Sequence, residues 1–190
     1  ENEMPFQKNK FITFGSFNNF LKINDEVIKV WASILKEVEN SKLFLKTSQA
    51  MSIGSIKSRF ERYGVQKSVV FLNYSKNFSE HLEKYKLIDI ALDTFPWNGV
   101  TTTFEAIWMN VPAIVMNGDN FSSRCGSSII KNLNLLNLIG KNKEDYINKA
   151  VTLAQNPQML MDLRKDLFEN ALKTPLFNKI NFSNEFFSSL

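Results

Sequence analysis

Two rhythms of apolar residues alternate along the chain. Short runs rich in β-branched and aromatic residues, at 11–14, 42–46, 68–72, 88–92 and 113–116, read as buried strands. Between them, apolar positions spaced three and four apart read as helices over about 26–38, 52–63, 79–85, 101–109 and 122–133. The first of these is the clearest. Val27, Val30, Trp31, Ile34, Leu35 and Val38 share one face, and Asn24 with Asp25 is placed to cap its start. Gly64 is a plausible C-terminal stop for the second.

Strand and helix thus alternate five times, through connections too short to interleave antiparallel hairpins. That order calls for a parallel sheet covered on both faces, since each parallel pair needs a crossover and crossovers pack as right-handed units. After Gly140 the rhythm is helical only, over 143–155, 157–173 with Pro157 at the first position, and 177–190. The expected fold is α/β, a parallel sheet with helices on both faces plus a C-terminal helical tail. Residues 1–10 read as a linker, 11–140 as the sheet domain, and 141–190 as helices packed on that same domain.

Open parallel sheets bind ligands beyond the carboxyl ends of their strands. The loops to inspect are therefore SFNNFLK, LNYSKNFS, DTFPWNGVTTT and NGDNFSSR, which hold an unusual share of the Asn, Ser, Thr, Lys and Arg residues. The third belongs to the stretch LIDIALDTFPWNGVTTTFE, residues 87–105: a buried strand, a turn through Pro96 and Gly99, and a helix opening on Thr101, Thr102 and Thr103. Unpaired amides and the positive end of the helix dipole point the same way there, so it reads as an anion site and, on this chain, as a diphosphate cradle.

Lys22, behind Asn18 and Asn19, is placed to reach a phosphate oxygen as a compact cation and stabilise a leaving diphosphate. Equally, it fits a solvated loop lysine. His81, the single histidine, suits contact with a nucleobase or a half-buried structural position, and Lys84 shares its helix face three residues on. Glu105, four residues past Thr101, can accept both hydroxyls of a ribose or simply complement the helix dipole. Arg124 suits a phosphate or Asp119, and Cys125 reads as a small packing residue.

Composition narrows the classes. The net charge of +4 is scattered among interleaved Lys and Glu, without the clustering that a nucleic-acid groove needs. One cysteine excludes an internal disulfide and a multi-cysteine metal site. Neither G-x-G-x-x-G nor a P-loop occurs, and no His/Cys/Asp cluster has metal-ligand spacing. The expectation is a diphosphate held by helix-end amides and lysine, with no metal or cofactor. No apolar run spans a bilayer and no signal-like segment opens the chain, so a cytoplasmic, reducing location is expected unless a targeting segment lies outside these residues.

Several separated blocks, FGSFNNFLKIN, WASILK, DIALDTFPWNGVTTTFEAIWMNVPAIVM, SSRCGSSII and the late TPLF, resemble the C-terminal half of the O-linked N-acetylglucosamine transferase family, which includes plant-type protein O-fucosyltransferases. The resemblance runs over about residues 11–185. It implies a Rossmann-like nucleotide-sugar-binding domain, the C-terminal domain of a GT-B glycosyltransferase. The implied function is one half of an inverting, metal-independent enzyme that moves a sugar, N-acetylglucosamine first, from a UDP-sugar to Ser/Thr hydroxyls of proteins.

Position by position, the resemblance implies that Asn19 and Lys22 contact the donor diphosphate, Lys22 being essential for the leaving group. His81 and Lys84 match positions beside the base, Thr101 and Thr102, past Gly99, match those on the phosphates, and Glu105 the one on the ribose. Three positions depart from the pattern. Val100 stands where the animal enzymes have a histidine, Phe78 where a lysine helps hold the ribose, and Lys84 where an arginine offers two-pronged geometry. The family's N-terminal catalytic domain and TPR repeats, which select protein acceptors, are not in this chain. A scaffold that kept the fold and lost transfer, and a GT-B enzyme using another donor or a glycan or lipid acceptor, stay open as alternatives.

Overall fold

The computed structural model describes residues 4–47 and 50–189, the side chains of residues 50–52 excepted. Its centre is a six-stranded sheet in the order β3-β2-β1-β4-β5-β6, every neighbouring pair parallel. The strands are β1 (Thr13–Ser16), β2 (Lys42–Lys46), β3 (Val69–Leu72), β4 (Ile90–Leu92), β5 (Ala113–Met116) and β6 (Ile139–Gly140). The helices of the sheet region are α1 (Pro5–Asn9), α2 (Asp25–Glu37), α3 (Ala50–Glu61), α4 (Phe78–Glu83), α5 (Thr101–Trp108) and α6 (Phe121–Asn132). The chain order reverses between β1 and β4, and at such a switch point the loops leaving adjacent strands diverge and open a crevice.

The expected elements form for the expected reasons. Asn24 accepts a hydrogen bond from the Val27 N–H at the start of α2, and all six apolar positions of that helix face are buried. Trp31, Phe14, Phe60, Leu43 and Leu45 make the centre of the core, each stabilising the fold by about 1.5–3 kcal/mol through burial. Gly64 takes a positive φ of 72° just past α3, the left-handed stop that glycine supplies at no steric cost.

Several boundaries differ from the pattern reading. Where a linker is expected, Pro5–Asn9 coils into α1 with Met4 buried; residues 1–3 of that segment lie outside the described residues. Strand β6 is only two residues long, too short for any periodicity to announce it. The tail is α7 (Lys143–Ala154), α8 (Pro157–Lys165), α9 (Leu167–Leu172) and α10 (Lys179–Ser188). The helix expected over 157–173 is therefore broken at Asp166, where the Phe168 N–H leaves the helical ladder for the Asn110 side chain.

Helices α7 to α9 put apolar residues into the main core, Tyr146 and Leu160 among them, whereas α10 buries none of its side chains. Among the described residues no helix is long and apolar enough to cross a membrane.

Strands β1 and β4 are fastened at their amino ends by buried polar groups. Asp89 accepts from the Thr13 N–H (2.8 Å), the Thr13 hydroxyl (2.6 Å) and the Phe6 N–H (3.0 Å). Arg164, brought in by α8, donates to the Ile88 and Asp89 carbonyls at 3.1 and 2.8 Å. The tail thus braces the approach to β4, which Asp89 in turn ties to β1.

Candidate functional site

At the carboxyl ends of β1 and β4 the two loops meet on one buried carboxylate. Asp93 Oδ1 accepts from Asn18 Nδ2 (3.1 Å), the Thr94 N–H (2.9 Å) and the Gly99 N–H (2.7 Å). Its Oδ2 is buried without a hydrogen-bond partner. Burial pushes the Asp93 carboxyl up to about 7, against the pull of those three donors and of Lys22. Asn18 passes the linkage on, for its Oδ1 accepts from the Thr102 hydroxyl at 3.0 Å. The first loop is thereby tied to the first turn of α5.

Lys22 leaves the same loop and lays its ammonium 2.9 Å from the Asn98 carbonyl and 5.4 Å from the Trp97 ring centre. Burial lowers its pKa, with Asp93 pulling it back. Among the described residues no carboxylate lies within ion-pair distance of it. Asn98 is itself held, donating to the Thr94 carbonyl at 3.0 Å and accepting from the Gly126 N–H at 3.2 Å. The cation therefore rests on a fixed backbone edge beside the opening of α5.

That opening has no side-chain cap. Val100 occupies the N-cap, and the hydroxyls of Thr102 and Thr103 point to Asn18 and back to the Gly99 carbonyl. The Thr103 and Phe104 N–H groups both donate to the Val100 carbonyl at 3.1 Å, while the Thr101 and Thr102 amides, with the positive end of the dipole behind them, stay available to an anion. Gly99 fits only as glycine: a Cβ there meets the Thr102 hydroxyl, and lies 2.9 Å from Asp93 Oδ1 and 3.1 Å from Asn18 Oδ1. Gly99→Ala is expected to cost about 1–3 kcal/mol of stability by forcing these three apart. Thermal or urea unfolding checks it, and an unchanged midpoint would show that the turn yields without loss.

Farther along α5, Glu105 is buried, and its Oε2 accepts from His81 (2.8 Å) and from the Tyr85 hydroxyl (3.0 Å). His81 is buried beside Phe17 and Tyr85, and its Nδ1 lies 2.6 Å from the ammonium of Lys46. Burial lowers the pKa of Lys46, with Glu105 raising it and Lys84 lowering it further. Glu105 also lines a cleft of about 290 Å³ with Phe78, Leu82, Thr101, Trp108 and Phe177.

The expected site residues thus fall into two groups. Lys22, Gly99, Thr101 and Thr102 gather at the opening of α5, and His81 with Glu105 one turn farther on. Asn19 and Lys84 have other local partners: Asn19 is exposed and caps a 3-10 turn by accepting from the Leu21 N–H, and Lys84 donates to the Asn73 carbonyl, 3.8 Å from Glu80. Arg124 makes no ion pair with Asp119 among the described residues. It lines a separate cleft of about 620 Å³ with Val100, Phe104, Phe121 and Lys131.

Sequence reasoning missed Asn18, Asp93 and Lys46. For Lys46 a signal existed, since the last residue of a parallel strand sits at the ligand-binding edge. For Asn18 it did not, because nothing in the pair Asn18–Asn19 says which side chain turns inward.

Comparison with known proteins identifies the fold and the family. The fold matches that of a solved O-GlcNAc transferase from Thermobaculum terrenum, with a TM-score of 0.81 and 31% identity over 85% of this chain and 32% of that one. WaaG, a glycosyltransferase of lipopolysaccharide biosynthesis, shares the fold alone, with a TM-score of 0.67 and 15% identity over 96% of this chain and 49% of that one. The parallel sheet with helices on both faces is the fold of the GT-B glycosyltransferases. A relative from Solanum lycopersicum, named a probable UDP-N-acetylglucosamine–peptide N-acetylglucosaminyltransferase SPINDLY, is 37% identical over 189 residues. That alignment covers 94% of this chain and 20% of the relative, so the chain spans about a fifth of the length of the curated relatives it matches. The model of glycosyl transferase family 41 matches residues 4–186, and the chain belongs to that family.

Proposed function

We propose that this chain is the nucleotide-binding half of an inverting, metal-independent glycosyltransferase that moves N-acetylglucosamine from a UDP-sugar to Ser or Thr hydroxyls of proteins. The observation that carries the reading is the Lys22 ammonium, held 2.9 Å from the Asn98 carbonyl beside the uncapped opening of α5. A diphosphate bridging the two meets a point charge on one side and amides with a helix dipole on the other. The names of the relatives supply the donor and the acceptor class.

In the reaction the acceptor oxygen forms a bond to the anomeric carbon from the face opposite the diphosphate. The bond from that carbon to the diphosphate breaks, and its electron pair leaves with the phosphate oxygen. Lys22 and the α5 amides stabilise the charge that grows there, and being fixed in advance they need little reorganisation as it forms. Thr102 contributes through its backbone, because its hydroxyl proton is committed to Asn18. The nucleoside lies along α5 toward Glu105, whose carboxylate takes the ribose hydroxyls. Aligning the acceptor and removing its proton fall to the rest of a longer protein, so this chain alone binds nucleotide and turns over little.

Thermal unfolding with added UDP tests the reading. At about 100 times its dissociation constant UDP should add roughly 2.7 kcal/mol of stability, and GDP run in parallel reports the base preference. No shift with either nucleotide at millimolar concentration overturns it.

A further inference from the structure

We propose that Lys46 is a positioning residue of the nucleoside cleft, acting through His81 on Glu105. This rests on the reading of Glu105 as the ribose contact, but it comes from a chain of contacts that crosses three elements. Lys46 is the last residue of β2, and its stem is half-buried beside the Tyr74 ring, 5.4 Å from the ammonium. The ammonium lies 2.6 Å from His81 Nδ1, and His81 Nε2 lies 2.8 Å from Glu105 Oε2.

The chemistry of the groups sets the direction of these bonds. A lysine ammonium has donors and no acceptor, so Nδ1 is the acceptor and the ring proton sits on Nε2. From there it is donated to Glu105. The Tyr85 hydroxyl donates to the same carboxylate oxygen, at 3.0 Å. Both donors fall on Oε2, which fixes the plane of the carboxylate and leaves Oε1 to whatever enters the cleft that Glu105 lines with Phe78 and Leu82.

Without the ammonium, Nδ1 is a buried lone pair with no donor, while Glu105 still takes the proton on Nε2. The ring then shifts to find a partner for Nδ1, and Glu105, hydrogen-bonded to it, turns from its set position. Lys46 therefore holds the His81 ring in place, and through it the orientation of the ribose contact, without touching the nucleotide.

Because His81 is the single histidine, nitrogen-15 labelling of histidine in this chain reports one imidazole. The expected spectrum has the proton on Nε2 and Nδ1 as acceptor. In Lys46→Met the Nδ1 signal moves away from that of a hydrogen-bonded acceptor while the proton stays on Nε2, and UDP affinity falls about tenfold, the order expected for losing one charge-assisted hydrogen bond. Affinity for inorganic diphosphate, which needs only the Lys22 end, stays unchanged. Lys46→Arg, which keeps a donor there, restores the spectrum and most of the affinity.

A wild-type ring protonated on Nδ1 overturns the proposal, as does a Lys46→Met chain whose spectrum and UDP affinity match wild type. An equal loss for UDP and diphosphate also overturns it, since that marks general damage. If the wild-type chain ignores UDP, the nucleotide reading falls, while the histidine spectrum still decides whether Lys46 sets the ring.

Discussion

Alanine at Asp93 is expected to lower the unfolding free energy by about 3–5 kcal/mol, because it strands three buried donors at once. The Asn18 amide and the Thr94 and Gly99 N–H groups all end on Asp93 Oδ1, and among the described residues they have no other acceptor. Asparagine should behave differently. It keeps the accepting oxygen, places its amide where Oδ2 already lacks a partner, and carries no charge.

The comparison becomes sharp with pH. The folded-state pKa of about 7 lies above the usual aspartate value, so the native state holds this proton more tightly than the unfolded chain. The associated stability is fully present below the unfolded pKa near 4 and is lost as pH rises through about 7, a change of about 4 kcal/mol. Asp93→Asn lacks that slope. Urea unfolding of wild type and Asp93→Asn from pH 4 to pH 8 should therefore give curves that agree in acid and separate toward pH 8, with the variant above. A variant as weak as Asp93→Ala at pH 8 would mean that the carboxylate is ionised in place and its charge is needed.

Lys22→Ala is expected to weaken UDP binding by roughly ten- to hundredfold, the range for removing a charge-assisted contact. Without ligand, its stability should stay within about 1 kcal/mol of wild type, since the side chain is part-exposed and closes no core cavity. Calorimetric titration against UDP and inorganic diphosphate checks this. Both ligands should lose affinity to a similar degree, in contrast to the Lys46 variant. Retained affinity for both would separate the lysine from the anion and remove the observation on which the transferase reading stands.

What was legible in the sequence follows from how local each cause is. Helix α2 announced itself because seven consecutive i, i+3 and i+4 relations and a capping asparagine all lie within one segment. The opening of α5 was legible as well, since a buried strand, a glycine turn and threonines follow one another directly. Other features have distant causes. The break at Asp166 arises where Asn110, far earlier in the chain, takes the Phe168 N–H, and no proline or glycine marks it. His81 shares a face with Lys84 on paper, yet it turns into β2 and α5 through partners 35 and 24 residues away. Asp93 looked like the end of a strand, and only the folded loops show how many donors end on it.

The two central strands are joined at both poles, by Asp89 and Arg164 at one and by Asp93 and Asn18 at the other. Like a rung held at either end, the pair has little freedom to shear or splay. The gap between Lys22 and the α5 amides is therefore set when the chain folds, and an arriving nucleotide spends little of its affinity on ordering the loops. Loosening the Arg164 end, far from any ligand, should widen the spread of that gap and be felt as a slower, weaker grip on phosphate.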